Sequence, residues 1–363
     1  MRFAFTAQQL EFRDAVRAVL AKECTPADLR VAYGDRSWRT PRWATLAGLG
    51  AVGMTVPERH GGLGLGLVDL VLVLEEAGRA ALPEPLAATT AVAAPILADL
   101  EANGPAGDGR WRAWLADIAG GAVAAAVGTG AADDPVAGAD GATHLVLARP
   151  ASGPEAAFYV LAPEELAPGA CTVEPVGSLD PTRRLARVTL GPRAEPVATG
   201  EEAAGLARTA ARRATVATAA ELLGVADRLV AMGADYARER RQFGRPVGSF
   251  QAVKHLLAGP RVALEFARPA VYAAAWALDE GELDAPRRVS AAKAQASDAA
   301  LEAARVALQV HGAIGYTWEC DLHLFLKRAW ALAAAWGSAT EHRRRVLAGL
   351  VAERSLTSGT PPD

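Results

Sequence analysis

Few polar residues in this chain stand at spacings that suggest chemistry. Glu319 and His323 lie four positions apart with Asp321 between them, so a helix would place a carboxylate and an imidazole on one face. A zinc site needs a third and a fourth ligand, and none stands at a useful spacing. These residues therefore favour a surface or subunit-contact cluster over a metal centre.

A glycine-rich stretch at residues 62–66 has the texture of a phosphate-binding loop. Such a loop needs a β-strand before it and a crossover helix after it. Residues 57–60 read Pro-Glu-Arg-His, and no parallel-sheet pattern follows. The stretch is therefore predicted to join two helices.

Composition excludes several classes of protein. The chain has 363 residues, of which 51% are hydrophobic, and a net charge of -3, so it has a core but no positive surplus for nucleic acid. The longest uncharged stretch, residues 118–132, is too short and too rich in Gly and Ala to span a membrane. Cys24, Cys171 and Cys320 fit no metal spacing. We expect a reduced, cytoplasmic protein without membrane insertion, and the N-terminus does not read as a signal peptide.

Hydrophobic periodicity divides the chain into three parts. Thr6 and Gln9 form a capping-box pattern, and helical spacing recurs over residues 42–49 and 68–79. Short apolar runs between Gly and Pro clusters then predict a small antiparallel β unit, and long Ala-rich stripes after residue 201 predict a helical bundle. The predicted architecture is mostly α with a central β domain. Its domains are 1–118 (helical), 119–200 (β) and 201–363 (a four-helix bundle).

Four segments resemble signatures of the acyl-CoA dehydrogenase family. Residues 236–255, which contain Arg-Arg-Gln-Phe-Gly, and residues 309–323, which contain Gln-Val-His-Gly-Ala-Ile-Gly, resemble two of its C-terminal motifs. Residues 55–86 resemble its N-terminal helical domain, and residues 179–184 resemble the end of its β domain. The resemblance covers nearly the whole chain, and the family has the same helical–β–helical order.

The resemblance implies FAD-dependent oxidation of an acyl-CoA to the α,β-enoyl-CoA, with a carboxylate as the base that removes the α-proton. It also implies that FAD lies across a subunit interface. One protomer holds the flavin ring against its β domain, and its neighbour covers the diphosphate and adenine with its C-terminal helices.

The same resemblance assigns residues to the cofactor. Arg240, Gln242 and Phe243 would reach a neighbour's FAD. The second piece consists of Gln309, Gly312, Ala313 and Gly315, whose small residues let backbone N–H groups approach the cofactor. Ser338, next to the family's base position, is assigned to the cofactor site as well.

Two departures from the family pattern concern the chain's own active site. The family's base, a Glu before Gly-Thr, is replaced by Trp336 before Gly-Ser, and the alternative base position falls near Ala214 and Thr215. Residues 128–135 replace the usual flavin-facing loop, and no Trp lies between Trp114 and Trp276. Features that serve the chain's own flavin are thus eroded, whereas those that serve a neighbour's FAD are kept.

These departures favour a base-lacking subunit that pairs with a homologous, Glu-bearing subunit, as an α2β2 complex. Some bacterial members built this way act on bulky CoA thioesters such as steroid side chains. One alternative is a homo-oligomer with a relocated base at Glu221, Glu319 or Glu341, or with flavin chemistry that needs no base. The other is an acyl-CoA-binding or structural protein without flavin.

Overall fold

The computed structural model describes residues 4–35, 37–103, 109–131, 133–150, 152–162 and 169–358, with the backbone alone for 353–358. The chain forms two compact units. The N-terminal unit comprises Phe5–Ala77 and Leu82–Ala214, and the C-terminal unit contains Gly78–Ala81 and the chain from Thr215 onward. This division does not test the three predicted domain boundaries, which stay a prediction.

The first third of the chain is helical. Its α-helices are α1 (Ala7–Glu23), α2 (Pro26–Ala32), α3 (Pro41–Gly48), α4 (Leu67–Ala80), α5 (Ala94–Asn103) and α6 (Arg110–Ala119). The predicted capping box starts α1, because Thr6 Oγ1 accepts from the Gln9 N–H at 3.2 Å and the Thr6 N–H donates to Gln9 Oε1 at 2.7 Å. Residues 62–66 connect the 3-10 turn Glu58–His60 to α4, so the predicted inter-helix loop is confirmed.

The middle of the chain forms two small sheets. Their strands are β1 (Ala125–Gly128), β2 (His144–Ala148), β3 (Ala157–Leu161), β4 (Cys171–Pro175), β5 (Ala186–Leu190) and β6 (Ala198–Thr199). The first sheet has the order β1-β2-β3-β6, and the second pairs β4 with β5. A buried apolar cluster that includes Leu145, Leu147 and Val188 forms the core of this β unit.

One pairing corrects the antiparallel prediction. The strand pairs β2–β3, β3–β6 and β4–β5 are antiparallel, but β1 and β2 run parallel. The connection over residues 129–143 is long enough for a crossover. Within this connection, Val136 forms a β-bridge with Ala186 of the other sheet. The connection therefore passes beside β5 before β2 begins, and β2 runs in the same direction as β1. Strand β4 was not predicted, because only Cys171 among its residues is buried.

Long helices dominate the rest of the chain. They are α7 (Gly200–Glu239), α8 (Gln251–Asp279), α9 (Ala285–His311), α10 (Leu322–Ala334) and α11 (Ala339–Ser358). Helix α9 packs against α8, α10 and α11. Its buried face carries the predicted alanine stripe, including Ala292, Ala296, Ala299 and Ala303, and these small residues allow close helix contact. Along the described part of the chain, no helix combines the length and apolar composition needed to cross a bilayer.

Candidate functional site

The end of α7 leads directly into an exposed hairpin. Strands β7 (Arg241–Gln242) and β8 (Arg245–Pro246) pair around Phe243 and Gly244, whose φ angles are 52° and 78°. Two positive φ angles define a type I′ turn, which an aromatic residue enters only at a cost in backbone strain. Phe243 therefore projects at the hairpin tip with 91% of its surface exposed.

The end of α9 turns sharply at Gly312. Its φ of 64° and ψ of -143° lie in a region that glycine alone occupies at low cost, and open space surrounds the position of a Cβ. The chain then forms the 3-10 turn Gly312–Tyr316. Gly315 is buried there because Leu308, His311 and Leu322 pack around it.

These two helix ends enclose a cleft of about 430 Å³. Its walls are formed by Tyr236, Arg240, Gln242, Val247, Val253, Leu256, Gln309, Val310, His311, Gly312 and Ala313. Five of the eight residues assigned from the sequence thus meet in one place, although almost seventy positions separate the two segments. Phe243, Gly315 and Ser338 do not line this cleft.

Arg240 supplies the positive charge of the cleft. Its side chain is exposed and has neither an ion pair nor a hydrogen bond within the described ranges. The guanidinium of nearby Arg245 instead lies over the Phe250 ring, 4.1 Å from its centroid. A planar guanidinium without an internal partner, beside apolar walls, suits a phosphorylated ligand with an aromatic part.

Tyr236 and His311 join the two sides of the cleft, a contact that the sequence did not reveal. Their rings stack with centroids 4.4 Å apart and planes 20° apart. The His311 Nδ1–H donates to the Ala307 carbonyl at 2.8 Å, and burial lowers the pKa of the imidazole. The ring therefore stays neutral at physiological pH and stiffens the floor of the cleft.

A buried lysine holds the loop between α10 and α11, where the family's base would stand. Lys293 is fully buried in the alanine face of α9, and its Nζ donates to Ala333 O and Gly337 O at 3.0 and 3.1 Å and to Ser297 Oγ at 3.0 Å. His342 bonds Trp336 O at 3.0 Å. These bonds from Lys293 and His342 fix the backbone at Trp336, whose φ is 59°.

Ser338 has a structural role that the resemblance did not predict. It caps α11, because its hydroxyl and backbone N–H both bond Glu341 Oε2, at 2.8 and 2.6 Å, and its Oγ accepts from the Glu341 N–H at 3.3 Å. Ser-x-x-Glu is a capping-box pattern, so the sequence contained the signal. This geometry does not test the assignment of Ser338 to the cofactor, which stays a prediction.

Two of the three carboxylates considered as relocated bases are poorly suited to that role. Hydrogen bonds from the Ser338 backbone and hydroxyl lower the pKa of Glu341, and bonds from its own backbone N–H and from Thr317 lower the pKa of the exposed Glu319. A lowered pKa makes a carboxylate a weaker base. Glu221 is half-buried on α7. Over the described residues, no three His, Cys, Asp or Glu side chains gather as a metal site.

His342 predicts acid sensitivity of the C-terminal unit. The imidazole is 1% exposed, and burial lowers its pKa to about 4. The unfolded chain binds its proton first, near pH 6.5, so stability falls between pH 6.5 and about 4 with a slope of up to about 1.4 kcal/mol per pH unit.

We expect His342→Gln, which keeps a donor for Trp336 O, to flatten this part of the profile. Urea unfolding at a series of pH values measures it, with the exposed His255→Gln as the matched control. Equal acid slopes in the wild type and His342→Gln would contradict the assignment.

Comparison with known proteins gives consistent matches along the chain. The model of the acyl-CoA dehydrogenase N-terminal domain matches residues 6–102, and that of the C-terminal domain matches residues 204–351. Acyl-CoA dehydrogenase IpdE2 of Mycobacterium tuberculosis is 35% identical over 337 residues, covering 92% of this chain and 94% of that protein. FadE34 of the same organism is 37% identical over 325 residues, or 86% of this chain, which spans only 42% of that longer protein.

Solved structures show the same fold. A variant of the Tcur3481-Tcur3483 steroid ACAD superimposes with a TM-score of 0.81 at 27% identity, covering 96% of this chain and 99% of that chain. The ChsE4-ChsE5 complex from Mycobacterium tuberculosis gives a TM-score of 0.81 at 24% identity over the full length of both chains, and this likeness shows the fold.

Proposed function

The chain belongs to the acyl-CoA dehydrogenase family of FAD-dependent oxidoreductases that act on CH–CH bonds, and from this premise we propose that it is the base-lacking subunit of a hetero-oligomeric enzyme. In this proposal it covers part of the FAD that a homologous, Glu-bearing subunit uses to dehydrogenate an acyl-CoA thioester. The FAD, when bound, accepts the hydride from the substrate.

The cleft at the ends of α7 and α9 carries the proposal, because its residues fit part of an FAD molecule. Arg240, whose side chain has no partner among the described residues, would pair with the diphosphate. Gln309 and Gly312 would offer an amide and an uncrowded backbone, and Val247 and Val253 would provide an apolar wall. Phe243 at the exposed hairpin tip would pack on the flavin-bearing neighbour.

The missing base supports a division of labour between subunits. Trp336 stands where the family carries its Glu, and an indole cannot remove a proton from carbon. Ala214 and Thr215, at the alternative base position, are both buried in α7 and neither is acidic. A complete reaction would then require a carboxylate from another chain.

The solved relatives favour an unlike partner. The steroid ACAD at 27% identity is named as a pair, Tcur3481-Tcur3483. By analogy we propose an α2β2 complex in the cytoplasm and a bulky acyl group, such as a steroid side chain, on the CoA thioester. Its competitor is a homo-oligomer that uses Glu221 as base, since Glu319 and Glu341 are held by hydrogen bonds that lower their pKa values.

The flavin content of the purified chain tests the proposal. We expect the chain expressed alone to carry well below one FAD per protomer, because it offers only the neighbour-facing part of the site. Co-expression with a homologous, Glu-bearing subunit should yield a yellow complex. The flavin absorbance relative to protein measures both.

Stoichiometric FAD in a pure homo-oligomer would overturn the proposal in favour of the relocated base. A colourless complex with every Glu-bearing homologue of the host would instead favour an acyl-CoA-binding protein without flavin. Co-purification from the native host identifies the partner independently.

A further inference from the structure

A second cleft, of about 630 Å³, opens in the β unit of the N-terminal unit. Its lining includes Arg149 at the end of β2, Tyr159 of β3 and Val188, Thr189 and Leu190 of β5. The volume lies within the usual range for small-molecule pockets, and most of the lining is apolar. The cleft that contains Arg240 is lined by residues of the other unit.

Arg149 is a buried cation without a counter-ion at this cleft. Only 8% of its surface is exposed. Its Nη1 donates to the carbonyls of Gly128, Gly130 and Ala148 at 3.2, 3.0 and 3.0 Å. Its Nε and Nη2 are buried and have no hydrogen-bond partner among the described residues.

The charge of Arg149 is not neutralised by the described chain. Among the described residues, no carboxylate lies within ion-pair distance of the Arg149 guanidinium, and Asp134 acts on it only at longer range. Burial lowers the pKa of Arg149. The nearby Thr129 hydroxyl is also buried without a partner in the same described region. Buried polar groups in this state cost free energy that a ligand can recover.

We propose that this cleft binds a carboxylate carried on an apolar molecule, with Arg149 as the group that pairs with the carboxylate. Nη1 donates to three carbonyls and so fixes the guanidinium. The Nε–Nη2 edge keeps two N–H donors for a ligand, and their spacing matches the two oxygens of a carboxylate. A single positive charge with Asp134 nearby suits a monoanion better than a phosphate dianion. Tyr159, Val188 and Leu190 would contact the apolar body.

Binding requires a small local movement. The Nε–Nη2 edge is covered in the ligand-free chain, and Nη2 lies so close to Gly128 that an added Cβ would stand 3.1 Å from it. Residues 128–131 read Gly-Thr-Gly-Ala, so the segment beside the guanidinium has small side chains, but moving it away from Nη2 also lengthens the bonds that Nη1 makes to the Gly128 and Gly130 carbonyls. The charged hydrogen bonds to a bound carboxylate must outweigh that loss. Gly130 and Ala131 of the lining belong to the loop that the family resemblance places against the chain's own flavin. The proposal does not depend on the partner subunit, and its test distinguishes a carboxylate site from a flavin site.

Three probes with one apolar body test the chemistry. We would titrate the isolated chain with 1-naphthoate, 1-naphthamide and 1-naphthyl phosphate, and measure binding by calorimetry and by the shift in melting temperature. We expect 1-naphthoate to bind at least about 10-fold more tightly than the neutral amide, the effect of one hydrogen bond to a charged group, and more tightly than the phosphate.

Variants separate binding from folding. Arg149→Met should weaken 1-naphthoate binding about 10- to 100-fold and leave the amide unchanged. Arg187→Met, on the exposed face of β5, is the matched control and should change neither. If Arg149→Met fails to fold, Leu190→Trp, which adds bulk on the same face of β5 as Val188 and leaves the bonds of Arg149 intact, should abolish binding of both probes.

Three outcomes would overturn the proposal. Equal affinity for 1-naphthoate and 1-naphthamide would mean that Arg149 only holds the end of β1 in place and does not bind the ligand. Tighter binding of the phosphate would assign the site to phosphate esters. Stoichiometric FAD on the isolated chain, lost in Arg149→Met, would make it a flavin site.

Discussion

We expect the isolated chain to dehydrogenate acyl-CoA thioesters about 10²- to 10⁴-fold more slowly than its complex with a Glu-bearing subunit, because a positioned general base contributes a factor of that size. The indole of Trp336 has no lone pair that could take the α-proton at pH 7. Glu341, five positions further on, is held in the cap of α11. An electron-acceptor dye assay with a panel of acyl-CoA substrates, on the chain and on the complex, measures the difference.

Three variants locate the base if the isolated chain turns out to be active. Glu221→Gln or Glu341→Gln would abolish the activity of a chain whose base had only moved, and that result would contradict the base-lacking assignment. Trp336→Glu alone should not restore activity, because residues 128–135, the loop that the resemblance assigns to the flavin, also depart from the family pattern. Lys293 and His342 bond the backbone of the α10–α11 loop, so this substitution should leave the loop in place.

Arg240→Ala should weaken FAD retention by the assembled complex about 10- to 100-fold. A hydrogen bond to a charged group contributes about 1.5–3 kcal/mol, and each factor of ten corresponds to about 1.4 kcal/mol. Arg240 lines the cleft between α7 and α9 and has no partner of its own in the described chain. Fluorescence titration of the apo-complex with FAD measures the loss.

Two neighbouring substitutions control this experiment. Arg240→Lys should recover only part of the affinity, because an ammonium keeps the charge and lacks the planar fork. Arg241 begins β7 and does not line the cleft, so Arg241→Ala should have a much smaller effect. Equal losses for Arg240→Ala and Arg241→Ala would mean that the pair contributes only diffuse positive charge.

Local signals in the sequence predicted the helices well. The capping box at Thr6 and the alanine stripe of α9 both depend on neighbours within one or two turns, and the structure confirms them. The direction of β1 against β2 depends on where residues 129–143 travel, and the bridge from Val136 to Ala186 could not be read from local pattern. Non-local pairing was therefore the weakest part of the fold prediction.

In the candidate site, too, the local features were predictable from the sequence and the non-local contacts were not. Family motifs located both halves of the cleft that we propose for FAD, because each half is a short contiguous segment. The groups that support it, such as the His311 ring on Tyr236 and the buried Lys293, find their partners tens of positions away. Arg149 gave no sequence signal either, since an arginine at a strand end usually lies in solvent.

Lys293 also limits which substitutions this position of the sequence can accept. The chain contains four lysines among its 38 basic residues, so its composition strongly favours arginine. At position 293 three acceptors converge on one fully buried nitrogen, a geometry that a compact ammonium fills and a planar guanidinium does not. The lysine-to-arginine exchange that is harmless on most surfaces would here push α9 and α10 apart. The preference of this chain for arginine therefore does not extend to position 293, where lysine keeps the α10–α11 loop in its shape.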